Sequence, residues 1–159
     1  METGPVYRAR LAVAAASALL FAVVAHDVLT NGVFSEQDVQ VVAWLHVRGN
    51  AALNTFMTWA SLSGGPAITS AYASILIVAY LARRRIAAAL AIGMIVYGAA
   101  LLNVAVKNVV QRGRPALEDP LMTLPTYSFP SGHAAASTVF GGLICILAWR
   151  SGFRGPRGR

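Results

Sequence analysis

The stretch RRRIAAALAIGMIVYGAALLNVAVK, residues 83–107, decides the fold class. Between three arginines and a lysine lies an uncharged run, 86–106, dominated by Ala, Leu, Ile and Val. About 20 such residues cross the roughly 30 Å hydrocarbon layer of a bilayer as an α-helix. A helix is required because its backbone polar groups must be satisfied within the segment. The flanking cations mark the two head-group levels.

Working outward, residues 11–29, 66–82 and 132–149 read as three further spans. Gly64-Gly65-Pro66 breaks the pattern before the second of them, and Pro66 suits a first helical position. Between the first two spans, Val41, Val42 and Leu45 share a helical face. Leu53, Phe56, Met57 and Ala60 recur at helical spacing. These segments are expected as short amphipathic helices at the interface, with Trp44 and Trp59 at head-group depth. The expected fold is an all-α integral membrane protein, a helical bundle of about four transmembrane helices plus interfacial helices. Without repeats or long linkers, residues 1–159 are expected to form a single membrane domain.

Composition points the same way. Hydrophobic residues make up 57% of the chain and charged residues 12%, about half the charged fraction of a soluble domain. The net charge of +7 comes from 13 Lys+Arg against 6 Asp+Glu. Such a balance on a soluble face suggests nucleic acid. Here the cations flank apolar runs, so the expected partners are the bilayer and its anionic head groups, not nucleic acid. Cys145 is the sole cysteine and excludes an internal disulfide. A cleaved signal is the competing reading of the first run, which follows Arg8 and Arg10 and has small residues near its end.

With four spans, Arg8, Arg10, Arg83–Arg85, Arg150, Arg154, Arg157 and Arg159 fall on one side, and Arg48, Lys107, Arg112 and Arg114 on the other. The positive-inside rule then makes both termini cytoplasmic and the loop before residue 133 extracytoplasmic, in a multi-pass cell-membrane protein.

That loop carries the chemistry. Lys107 is the only lysine in the sequence. Taken singly it fits a snorkelling anchor, and Arg114 fits a surface cation. Asn103 lies one turn before Lys107 and can face the same space. Ser131 can cap a helix starting at Gly132, where free N–H groups suit an anion and the missing side chain permits close approach. Pro130-Ser131-Gly132 also reads as an ordinary turn into a helix. His133 falls in the first turn, placed to give a proton to a leaving alkoxide. Ser137 and Gly141 follow on its face. Jointly, these residues offer a phosphate a planar fork, a point charge, a hydroxyl and backbone amides. Glu118-Asp119 is too sparse a set for a metal site, and no cofactor is implied.

Lys107-x6-Arg114-Pro115 followed by Pro130-Ser131-Gly132-His133 resembles the first two motifs of the type 2 phosphatidic acid phosphatase family, in order and in membrane placement. The resemblance implies a six-helix membrane bundle that removes phosphate from a lipid without metal. It assigns phosphate binding to Lys107, Arg114, Ser131 and Gly132, and the general-acid role to His133. The family's nucleophile is a second histidine in a third motif, Ser-Arg-x5-His-x3-Asp, which these 159 residues do not contain. The other histidines, His26 and His46, lie upstream with no matching spacing. The chain therefore reads as the N-terminal two-thirds of such a domain, with catalysis impaired on its own. A non-catalytic lipid-phosphate-binding protein and a truncated gene product are the alternatives. Admissible substrates are phosphatidate, phosphatidylglycerol phosphate and polyprenyl diphosphate. Gly93, Gly98, Gly141 and Gly142 are expected on uncovered small-residue faces that favour self-association.

Overall fold

The computed structural model describes residues 4–114 and 125–152, with side chains to residue 150. Six helices follow in order: α1 Pro5–Thr30, α2 Val33–Arg48, α3 Ala51–Ser63, α4 Pro66–Ala82, α5 Ile86–Val110 and α6 Gly132–Gly152. No strand occurs among the described residues. Contacts divide the chain into two compact units, one carrying α1 and α2 and the other α3–α6.

In the first unit, α1 runs from Pro5 at its first turn to Asn31, whose left-handed backbone (φ 50°) lets its N–H reach the Asp27 carbonyl. Asn is among the side chains that tolerate that region best. The Asp27 carboxylate then caps α2. It accepts from Phe34 N at 3.3 Å, Ser35 N at 2.9 Å and the Ser35 hydroxyl at 3.1 Å. The cap satisfies N–H groups that a helix start leaves orphaned and favours its positive end. A Cβ on Gly32 would sit 2.2 Å from the pinned carboxylate oxygen, so this turn requires glycine. Arg48 stacks over the Trp44 ring at 4.3 Å, next to the end of α2. The segment carrying Val41, Val42 and Leu45, expected as a short helix, thus belongs to a longer one.

In the second unit, one face each of α4, α5 and α6 meets. Ala73, Ile92, Val96 and Leu143 form its buried centre, flanked by Leu76, Ile77, Tyr80, Val139, Phe140 and Leu147. Ala73, Leu76, Ile77 and Tyr80 recur at the three- and four-residue spacing that aligns one helix face. Ala73 is fully buried, letting α4 approach its neighbours closely. Tyr72 and Phe140 pack tilted, with centroids 5.8 Å apart. A polar tie joins α4 to α5, with the Ser74 and Tyr97 hydroxyls 2.6 Å apart. Gly93 faces the Ile77 side chain at 3.7 Å, so its face is covered, contrary to expectation. Gly98, Gly141 and Gly142 have nothing within 4 Å of a Cβ position.

Three helices are long and apolar enough to cross a membrane: Pro5–Thr30, Ile86–Val110 and Gly132–Arg150. The expected span 66–82 differs. At 17 residues, α4 qualifies only together with α3, as a pair bent by 41° at Gly64-Gly65. At 1.5 Å per residue, α4 alone falls short of the hydrocarbon thickness. The chain therefore has three or four candidate spans, consistent with an all-α membrane protein.

Candidate functional site

The α3–α4 break, the end of α5 and the start of α6 come together. Gly132, opening α6, is the meeting point. A Cβ there would lie 3.5 Å from Pro66 Cγ, 3.6 Å from Asn103 Oδ1 and 4.0 Å from Lys107 Cε. Asn103 and Lys107 therefore face the same space, as their one-turn spacing on α5 predicts. The glycine leaves room that a side chain would occupy.

Helix α5 continues to Val110, past the expected end at 106, so Lys107 lies inside its last turn. Its side chain is buried, at 7% exposure, and its ammonium donates to the Tyr127 carbonyl. A snorkelling lysine extends its head toward water; this one is folded inward. An ammonium has three donors, and the Tyr127 bond uses one. Gln111 closes α5 in the left-handed region and returns its N–H to the Lys107 carbonyl at 2.9 Å.

Residues 112–114 then pair with 126–128. Ser128 donates its N–H to the Arg112 carbonyl at 2.9 Å and its hydroxyl to the Gly113 carbonyl at 2.6 Å. Arg114 Nε donates to the Thr126 carbonyl at 2.9 Å. The paired segments and α5 border an open cavity of about 630 Å³ lined by Val104, Lys107, Asn108, Arg112, Gly113, Arg114, Pro125, Thr126 and Tyr127. Three cations line it and no carboxylate does among the described residues. Glu118-Asp119 and Pro115 lie outside the described residues.

Ser131 caps α6 as expected. Its Oγ accepts from Ala134 N at 3.2 Å, and its carbonyl accepts from Ala135 N at 3.0 Å. The hydroxyl proton is still available as a donor. His133 stands in the first turn, but its ring faces Gly65. A Cβ on Gly65 would lie 3.2 Å from His133 Nε2 and 3.3 Å from Cδ2, so the α3–α4 break is the notch that holds the imidazole. Ser137 spends its hydroxyl on the His133 carbonyl at 2.7 Å, and so fixes the helix rather than lining a pocket. Gly141, one further turn along, is open.

The five expected site residues thus divide. Lys107 and Arg114 share the cavity, and Lys107 also borders Gly132. Ser131 and His133 lie at the α6 start outside the cavity lining. His26 and His46 belong to the first unit. Sequence reading missed Arg112 as a third cation on the cavity, although its place two residues before Arg114 is a usable signal. It also missed the Gly65 notch and the carbonyls of Thr126 and Tyr127, which no local pattern announces. No group of three or more His, Cys, Asp or Glu side chains suited to a metal occurs among the described residues.

Compared with protein-family models, with curated proteins and with solved structures, this chain matches none.

Proposed function

We propose that this chain is a membrane protein that binds the phosphate of an amphiphilic monoester or diphosphate, through the phosphate-binding half of a type 2 phosphatidic acid phosphatase-like site. The observation that carries the reading is the position of Lys107. Its side chain lies beside Gly132 at the start of α6 and shares one cavity with Arg112 and Arg114. A phosphate held between that cavity and the start of α6 would meet charge-assisted donors from the cations on one side and the Ser131 hydroxyl and helix start on the other. No described residue of this unit is an Asp or Glu, so among the described residues no carboxylate competes for those cations.

His133 is the proton donor in this reading. Held in the Gly65 notch at the edge of the group, it would protonate the leaving alkoxide. Displacement at phosphorus also needs a nucleophile. The third-motif histidine is missing from these residues, and losing a covalent nucleophile typically costs several orders of magnitude in rate. The proposal is therefore tight recognition with residual turnover. The proposed orientation places both termini in the cytoplasm and the site outside.

The test is phosphate release from short-chain phosphatidate by the purified chain in detergent, without metal, beside His133→Ala. Binding of the same lipid is followed in parallel. Binding by both proteins with little release by either is the expected result. Absence of binding by the unmodified chain would end the proposal. Robust release lost on His133→Ala would retain the site and require a nucleophile within the chain.

A further inference from the structure

The opposite end of the α4–α6 unit carries a second cationic surface. Helices α4 and α6 start together at Pro66 and Gly132, and Tyr80 and Leu147 pack on one core, so both end on the same side. There Arg83, Arg84 and Arg85 turn the chain into α5, and Arg150 lies in the last turn of α6. All four are exposed, and no described residue of the unit is acidic.

The backbone of this turn is informative. Arg84 N donates to the Leu81 carbonyl at 2.8 Å and Arg85 N to the Tyr80 carbonyl at 2.9 Å, the paired bonds of a Schellman cap. The residue between, Arg84, has φ 56°. Glycine is the usual occupant of that left-handed position, because a Cβ crowds the carbonyl there. Here the position holds an arginine against its backbone preference, in a run of three. Exposed apolar residues, Leu81, Ile86 and Trp149, flank the cations directly. Cations bordered by exposed apolar side chains and an indole match the boundary between acyl chains and head groups.

We infer that Arg83, Arg84, Arg85 and Arg150 form a docking surface for anionic phospholipid head groups, separate from the Lys107 site and at the other end of the unit. The partner is a lipid of the surrounding leaflet, held by the net negative charge of its head group. This inference does not rest on the phosphatase reading.

The test uses the full chain in neutral detergent, measuring the change in Tm on adding phosphatidylglycerol, phosphatidylcholine or inorganic phosphate. Stabilisation by phosphatidylglycerol and not by phosphatidylcholine is expected. Any increment from inorganic phosphate should be lost in Lys107→Met and kept in Arg83→Gln/Arg85→Gln. Arg83→Gln/Arg85→Gln should lose most of the phosphatidylglycerol increment, while Lys107→Met keeps it. Arg84→Gly should separate the two effects. Relieving the left-handed arginine should raise Tm in neutral detergent by about 2–4 °C, while the phosphatidylglycerol increment falls. Equal stabilisation by phosphatidylcholine, or a phosphate increment lost in Arg83→Gln/Arg85→Gln, would overturn the inference. So would a phosphatidylglycerol increment that survives both arginine variants.

Discussion

The two ends of the α4–α6 unit carry the same sign of charge and hold it differently. At one end, Lys107 is buried and bonded to the Tyr127 carbonyl, while Arg114, itself exposed, is tied to the Thr126 carbonyl. At the other, Arg83, Arg84, Arg85 and Arg150 stand exposed. The difference lies in the burial of Lys107 and in the carbonyls that hold Lys107 and Arg114. An exposed cation is screened within about 10 Å at ordinary ionic strength and discriminates little between anions. A cation withdrawn from water interacts more strongly with an anion brought to it, and its geometry is set by the bonds that hold it. The first arrangement suits recognition of one chemical group, the second adhesion to a charged surface.

That comparison can be broken most directly at Lys107. Lys107→Met keeps much of the side-chain volume and removes the charge. A charge-assisted hydrogen bond is worth roughly 1.5–3 kcal/mol, so affinity for short-chain phosphatidate should fall about 10- to 100-fold. Titration of the purified variant checks this. An unchanged affinity would make the buried lysine a fastener for residues 125–130 and nothing more.

A smaller effect is expected at Gly65. Gly65→Val places branched methyl groups against the His133 ring, where even a Cβ would lie 3.2 Å from Nε2. Overpacking of this kind costs typically 1–3 kcal/mol. Chemical denaturation should register that loss. Residual phosphate release should fall more than phosphatidate binding does, because His133 lies outside the cavity that holds the cations. Equal losses of binding and release would show that notch and cavity act as one.

Ser131→Ala comes next. It removes the cap on Ala134 N and should cost about 1 kcal/mol of stability. A larger loss of lipid-phosphate affinity than this destabilisation explains would show the hydroxyl also meeting the ligand. Arg150→Gln, at the exposed end, should change stability by less than about 0.5 kcal/mol. It should trim the response to phosphatidylglycerol without altering phosphatidate binding.

Much of this layout is legible in the sequence because it depends on near neighbours. The start of α4 at Pro66 follows from a missing N–H and a preset φ. The cap at Ser131 follows from a hydroxyl placed just before a helix. The shared outlook of Asn103 and Lys107 is one turn of helix. The apolar bodies of α1 and α5 follow from uninterrupted apolar residues, although α1 begins six residues before its run and α5 ends four residues after its own. Other features resisted reading because they depend on how helices meet. The segment 66–82 is apolar enough for a span yet too short, and only its packing with α3 shows a bent pair. Gly93 and Gly98 look alike in sequence, but Ile77 covers the first and nothing covers the second. No local pattern announces the role of Asp27 near the end of the first apolar run. Asp27 reaches eight residues forward to cap α2 at Ser35.

By itself, the sequence determined an all-helical chain with long apolar helices, the starts of α4, α5 and α6, and the gathering of cations near helix termini. Period, propensity and charge are properties of the chain taken a few residues at a time. Only the tertiary structure decided that Lys107 is buried on a carbonyl 20 residues away, that it shares a cavity with Arg112 and Arg114, and that His133 sits in a notch made by Gly65. Those facts depend on which helix faces approach, and close approach is set by small residues such as Gly65, Ala73 and Gly132 at crossings that distant parts of the chain create together.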